Sequence, residues 1–184
     1  MNKKHQFTIN VIHKALEDLL LEKNYSEISA SDIILKSQIS RSTFYSHYKS
    51  KDDVLLSLCE MIFTHVFSPH LLKESGHDFS SSNSFDYKNI VIHTFCHFEE
   101  DKVLFKAILS SESSHIFISK LKENSAPLMN ALLPISKNIN NKIPQDIALS
   151  IMLSIFTELL TKCVMDAYPP KELSSYFFKF LGIE

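Results

Sequence analysis

An all-helical fold of about nine helices is predicted by three features of the 184-residue chain. First, the chain holds only two glycines, Gly76 and Gly182, too few for the positive-φ turns of a hairpin-rich sheet. Second, its apolar residues recur every three to four positions, as on one face of a helix. Third, two Ser-x-x-Asp pairs, Ser29/Asp32 and Ser50/Asp53, stand ahead of such stripes at the spacing of a capping box. Hydrophobic residues make up 45% and charged residues 22%, which is enough apolar matter for a packed core.

The elements follow in order. Residues 7–23 carry apolar side chains at 11, 12, 15, 16, 19 and 20, and Asn24 is expected to close that helix in the left-handed conformation. Ser29 and Asp32 open a short helix over 30–37. Ser40 caps another over 41–47. Ser50 and Asp53 open a third that ends before Pro69. Residues 73–86 read as a flexible Ser/Asn-rich loop. Helices are expected over 87–98, from about 102, and over 114–123 with a kinked continuation past Pro127. A loop is expected at 134–144, then a long helix over 145–167 and a last one over 171–181 closed by Gly182.

Composition removes whole function classes. Two isolated glycines cannot build a phosphate-binding loop, so nucleotide hydrolases and dinucleotide oxidoreductases are excluded. No paired carboxylates or nucleophile motif stand out, and no enzyme is expected. The three cysteines, Cys59, Cys96 and Cys163, form no CxxC pair and suggest a reducing compartment. The N-terminal MNKKHQFTIN has no apolar signal core, and the stretch 147–165 is broken by Glu158 and Lys162. A cytoplasmic protein without a membrane partner is expected. His93 and His97, with Cys96 beside them, form at most half of a metal site. No metal and no cofactor is expected.

The net charge is −2, yet residues 33–51 contain no acid and four bases: Lys36, Arg41, Lys49 and Lys51. Arg41 is the only arginine. It follows a helix cap and is surrounded by hydroxyls that can bond phosphates and base edges. Two short helices joined by a tight turn, with longer helices before and after, form a helix-turn-helix arrangement. The expected division is a head over 1–50, a linking helix over 51–67 and a helical body over 68–184.

The segment SASDIILKSQISRSTFYSHYKSKDDVL resembles the signature of the TetR family of transcriptional regulators. Ser29, Asp32, Ile33, Ile39, Ser40, Thr43, Phe44, Tyr45, His47, Tyr48, Ser50, Lys51 and Asp53 match in kind and order. The likeness covers residues 6–66. It departs at Ile34, where a small residue is usual, and at Gln38, where a turn glycine is usual. Gln38 must then adopt a positive φ or reshape the turn.

The resemblance implies a homodimeric, ligand-responsive regulator, in such families most often a repressor, bound to a palindromic double-stranded DNA operator. Arg41, Ser42 and Thr43 would face the groove. Tyr45 would touch phosphate or a thymine methyl, His47 would reach the backbone, and Ser29, Ser31, Lys49 and Lys51 would lie along it. Phe44 and Tyr48 are expected in the head core. The last two long helices would form the dimer interface, through Met152, Ile155, Phe156, Leu159, Leu160, Cys163, Tyr176, Phe177 and Phe180. An unknown small-molecule effector would sit among Phe95, Phe98, Phe105, Phe117, His93 and His97. The alternative is a TetR-like co-regulator or protein-interaction module that binds no operator.

Overall fold

A computed structural model describes residues 3–67, 87–139 and 143–183. The described residues form nine α-helices and two 3-10 turns, with no strand. The helices are α1 (Lys3–Glu22), α2 (Ala30–Ser37), α3 (Arg41–His47), α4 (Lys51–Val66), α5 (Tyr87–Glu100), α6 (Lys102–Leu109), α7 (Ser114–Leu132), α8 (Gln145–Asp166) and α9 (Pro170–Leu181). Pro127 lies inside α7. The expected flexible loop at 73–86 lies outside the described residues.

The described chain divides into two compact units. One comprises Met1–Ile62 with Val103–Phe117, the other Phe63–Lys102 with Ile118–Glu184. The division thus falls inside α4, and α6 belongs with the head.

In the head unit the caps act as their chemistry requires. Ser29 Oγ accepts from the Asp32 N–H at 3.2 Å, while the Ser29 N–H donates back to Asp32 Oδ2 at 2.7 Å. Ser40 Oγ accepts from the Thr43 N–H at 3.0 Å. Ser50 and Asp53 repeat the reciprocal pattern at 3.2 and 3.1 Å. Each box satisfies backbone donors that a helix start leaves without partners.

One expected cap is corrected. Asn24 does not close α1 in the left-handed conformation. Its backbone is extended (φ −63°, ψ 148°) and it opens the 3-10 turn Tyr25–Glu27. The Asn24 N–H donates to Glu27 Oε2 at 3.1 Å. That bond requires an extended entry, and it replaces the C-terminal role.

The head core is built from Ile12, Leu16, Leu20, Ile33, Phe44, Val54, Leu55 and Leu58, all nearly free of solvent. Lys23–Asp32 (3.1 Å) and Lys36–Glu22 (2.6 Å) tie α1 to α2 across the surface. The Ser29 N–H and hydroxyl, then Lys23, hold the Asp32 carboxyl down at about 2.

In the second unit α5, α8 and α9 pack against one another. Phe95, Phe156 and Phe177 form a continuous aromatic core, with centroid distances of 5.7 and 5.4 Å. Helix α8 is long and apolar enough to cross a membrane by length and composition alone. However, its Ala148, Met152, Phe156, Leu160 and Cys163 edge is buried inside the unit.

Candidate nucleic-acid interface

The site begins with the turn between α2 and α3. Gln38 sits in the left-handed region at φ 55°, ψ 31° and closes α2 through its N–H to Leu35 O at 3.2 Å. Thus Gln38 takes the glycine conformation despite its Cβ, at a cost of about 1–2 kcal/mol. Ile34 is buried in the head core. Neither departure from the family pattern reshapes the turn.

Helix α3 is anchored by one face. Phe44 is fully buried and packs edge-on against Tyr45 at 5.3 Å. Tyr48, just past the helix, is also buried. Its hydroxyl lies 3.0 Å from His13 Nε2 and 3.0 Å from Ser57 Oγ. These two aromatics fix the orientation of α3, and both lie in the core as expected.

The opposite face is open. Arg41, Ser42 and Tyr45 are exposed, Tyr45 at 53%. Ser29 and Ser31 are exposed at the head of α2. Arg41 Nη2 donates to Ser31 Oγ at 3.4 Å, so the starts of the two helices meet around the guanidinium. Thr43 is half-buried, with Oγ1 2.8 Å from Ser40 Oγ. A guanidinium, three hydroxyl residues and a phenol on one surface can donate to phosphate oxygens and to the acceptor edge of guanine.

Other expected contact residues have different employment. The Lys51 ammonium donates to Tyr25 O at 2.8 Å and lies 4.3 Å from the Tyr25 ring centroid. Lys51 therefore staples α4 to the Tyr25 turn instead of standing open. The Tyr25 hydroxyl donates to Asp52, and burial together with that carboxylate pushes its pKa far up. His47 stacks against His5 at 4.5 Å, and its buried Nδ1 has no hydrogen-bond partner among the described residues. Lys49 is exposed. Lys36 is paired with Glu22, which removes one base from the open positive surface. Sequence reasoning also missed Leu35, a 79% exposed side chain on α2.

The residues expected around an effector are buried in two different units. Phe95, Phe98, Phe105, Phe117 and His93 are core side chains, essentially without solvent access. Phe105 and Phe117 pack together in the head unit at 5.7 Å, while the others belong to the second unit. None lines a described cavity. An apolar cavity of about 330 Å³ lies elsewhere in the second unit, among Phe67, Tyr87, Ile90, Asn124, Pro127, Leu128 and Ala131. Aromatic content alone does not separate a packed core from a pocket wall. His93 and His97 do meet, Nε2 to Nε2 at 2.9 Å, with the His65 ring 5.0 Å from His97. Among the described residues no group of three or more His, Cys, Asp or Glu could hold a metal ion.

The expected dimer residues separate into two sets. Met152, Phe156, Leu160, Cys163 and Phe177 are buried within the protomer. They are already used by α5, α8 and α9 and have no surface for a partner. Ile155 and Leu159 are half-buried. Tyr176 and Phe180 are exposed, at 48% and 44%. Ile147 and Ile151 on α8, not expected, are exposed as well.

A capped, aromatic-anchored short helix presenting Arg41 and Tyr45 after a left-handed turn defines a helix-turn-helix regulator head. Residues 12–58 match the family model described as bacterial regulatory proteins, tetR family. The crystal structure of a TetR transcriptional regulator from Streptococcus agalactiae 2603V superposes with a TM-score of 0.75 at 27% identity. The match covers 97% of this chain and 96% of that one. The HTH-type dhaKLM operon transcriptional activator DhaS of Lactococcus lactis subsp. lactis (strain IL1403) is 24% identical over 118 residues, 63% of this chain. The uncharacterized HTH-type transcriptional regulator YxbF of Bacillus subtilis (strain 168) is 35% identical over 74 residues, 40% of this chain. The matched stretches span 57% and 20% of those two proteins' own lengths. Residues 12–58 thus carry the segment that the tetR family model describes, and the described chain shares its fold with a TetR transcriptional regulator.

Proposed function

We propose that this protein is a homodimeric, ligand-responsive transcriptional regulator that reads a palindromic operator through α3 and represses by occupying it. The single observation that carries the reading is the open face of α3: exposed Arg41, Ser42 and Tyr45 over a buried Phe44. A helix held by its inner face and bare on its outer face suits insertion into a major groove. Arg41 makes the base contact, Ser42 and Thr43 flank it, and Tyr45 touches a thymine methyl or phosphate. Ser29 and Ser31 lie along the adjoining backbone, with Lys49 on the far side. His47 and Lys51 act by holding α3 and α4 in place.

The exposed apolar line Ile147, Ile151, Tyr176 and Phe180, with half-buried Ile155 and Leu159, is the proposed twofold interface. A C2 pair would present two α3 helices to successive half-sites. The apolar cavity beside Ile90 and Leu128 is the proposed effector site, since such sites are concave and mostly apolar. An effector acts by favouring a dimer in which the two heads no longer match the half-sites.

The test is fluorescence anisotropy on DNA selected from a random pool, across a salt series. Arg41→Ala and Tyr45→Ala should lose specific binding at unchanged dimer mass, and affinity should fall steeply with salt. Failure of the wild type to select any sequence would leave a protein-interaction module. A reporter under the selected operator reads the sign. Loss of expression fits repression, and a gain would match the activator named among the relatives.

A further inference from the structure

One stripe of α7 forms a wall of the apolar cavity in the second unit. Asn124, Pro127, Leu128 and Ala131 recur along it at helical spacing. Tyr87 and Ile90 of α5 stand on the lining as well. Ile90 and Leu128 are buried, so the floor is aliphatic. Ala131 is the small member of the stripe, and its short side chain leaves the space open. No charged side chain lines the cavity, in a chain where 22% of the residues are charged.

The polar side chains on the lining are Asn124 and Tyr87. Asn124 Nδ2 donates to Lys120 O at 2.9 Å. A carbonyl can only accept, so this bond fixes the orientation of the amide and consumes its donor end. Asn124 Oδ1 makes no hydrogen bond among the described residues, and it is not one of the polar atoms sealed in the core. The α7 wall therefore offers a ligand one acceptor set in an apolar surface.

We propose that this cavity takes a small uncharged, largely apolar molecule with one hydrogen-bond donor, a hydroxyl or a ring N–H, and that Asn124 Oδ1 accepts from it. The inference rests on the reading of this cavity as the effector site and adds the chemistry of the ligand. A cavity of roughly 150 Å³ holds a benzene ring, so about 330 Å³ takes one substituted ring or a fused pair. An ion would give up its water here with no counter-charge on the lining, which disfavours it. A ligand without the donor leaves Oδ1 covered and unpaired, and that loss selects against it.

The experiment is titration of the full chain with indole, which has the size, no charge and one N–H. The chain contains no tryptophan, so indole emission excited beyond the tyrosine band carries no protein signal. The titration does not depend on operator binding. Saturable, blue-shifted emission is expected. 1-Methylindole, which lacks the N–H, should bind about three- to tenfold more weakly, the worth of one hydrogen bond. Indole-3-carboxylate should show no saturable binding. Asn124→Leu should remove the preference for indole over 1-methylindole, and Ala131→Phe should fill the cavity and abolish binding of both. Melting curves without ligand establish that both variants are folded.

Indole binding that survives Ala131→Phe would place the probe elsewhere, and the effector reading of the cavity would fall with the proposal. Suppose instead that Ala131→Phe abolishes binding, but indole-3-carboxylate binds as tightly as indole, or the preference survives Asn124→Leu. The cavity would then stand as a ligand site and the proposed ligand class would be overturned. No saturable binding of indole to the wild type would overturn both.

Discussion

The Tyr48 hydroxyl meets His13 Nε2 at 3.0 Å, and both meet Ser57 Oγ, at 3.0 and 3.1 Å. This buried polar triangle joins α1, the end of α3 and α4. It sets the height at which α3 stands off the head core, so the geometry of the reading face depends on three residues that never reach it.

Burial lowers the His13 pKa from 6.5 to about 4. The folded head therefore binds fewer protons than the unfolded chain between those values. Stability is full above pH 6.5 and falls as the pH drops toward 4. The fall is about 1.4 kcal/mol per pH unit, or about 3 kcal/mol in all. Chemical denaturation from pH 7.5 to 4 should show this slope in the wild type. The slope should be smaller by that amount in His13→Gln. Equal slopes would mean that His13 is protonated inside the fold.

Gln38 carries a side chain in a glycine conformation. Gln38→Gly should stabilise the head by about 0.5–1 kcal/mol, because relief of left-handed strain exceeds the added freedom of the unfolded chain. Thermal melting reads it as a rise of a few degrees. A fall would show that the Gln38 side chain makes a stabilising contact of its own.

Gly182 is the opposite case. It closes α9 at φ 69°, and a Cβ there would stand 2.9 Å from Asn138 Cγ. Gly182→Ala should cost about 1–2 kcal/mol from the backbone alone, with more from displacement of Asn138. The expected readout is a lower melting temperature together with faster amide exchange in the last turn of α9.

The proposed interface on α8 and α9 can be tested apart from folding. Ile151→Asp with Phe180→Asp should yield a folded monomer by sedimentation, since both side chains are exposed in the protomer. Phe156→Ala should instead lower protomer stability by about 3–5 kcal/mol, because Phe156 is fully buried. An Ile151/Phe180 double variant that still sediments as a dimer would move the interface elsewhere.

Local chemistry explains how much was legible beforehand. The capping serines, the limits of α2 and α3, and Gly182 at the end of α9 are short-range consequences of residue type and read directly from the chain. Gln38 was forced into the left-handed turn by its position between two capped helices. What did not read was partnership at a distance. Asn24 opens the 3-10 turn because Glu27 reaches back to its N–H. Lys51 looked open until Tyr25 arrived beside it. The stripe on α8 was wide enough for two neighbours, but periodicity alone could not say which edge faced inward. Met152 and Phe156 are buried within the protomer, whereas Ile147 and Ile151 of the same stripe are exposed.

Arg41 is the sole arginine of the chain, and it stands exposed on α3 beside Ser31. An isotope-labelled arginine would therefore give this protein a single guanidinium resonance. That one signal would report on contact with a nucleic acid, on the Ser31 bond and on any movement of the reading face. It needs no assignment and no foreign probe, so the molecule carries its own spectroscopic beacon.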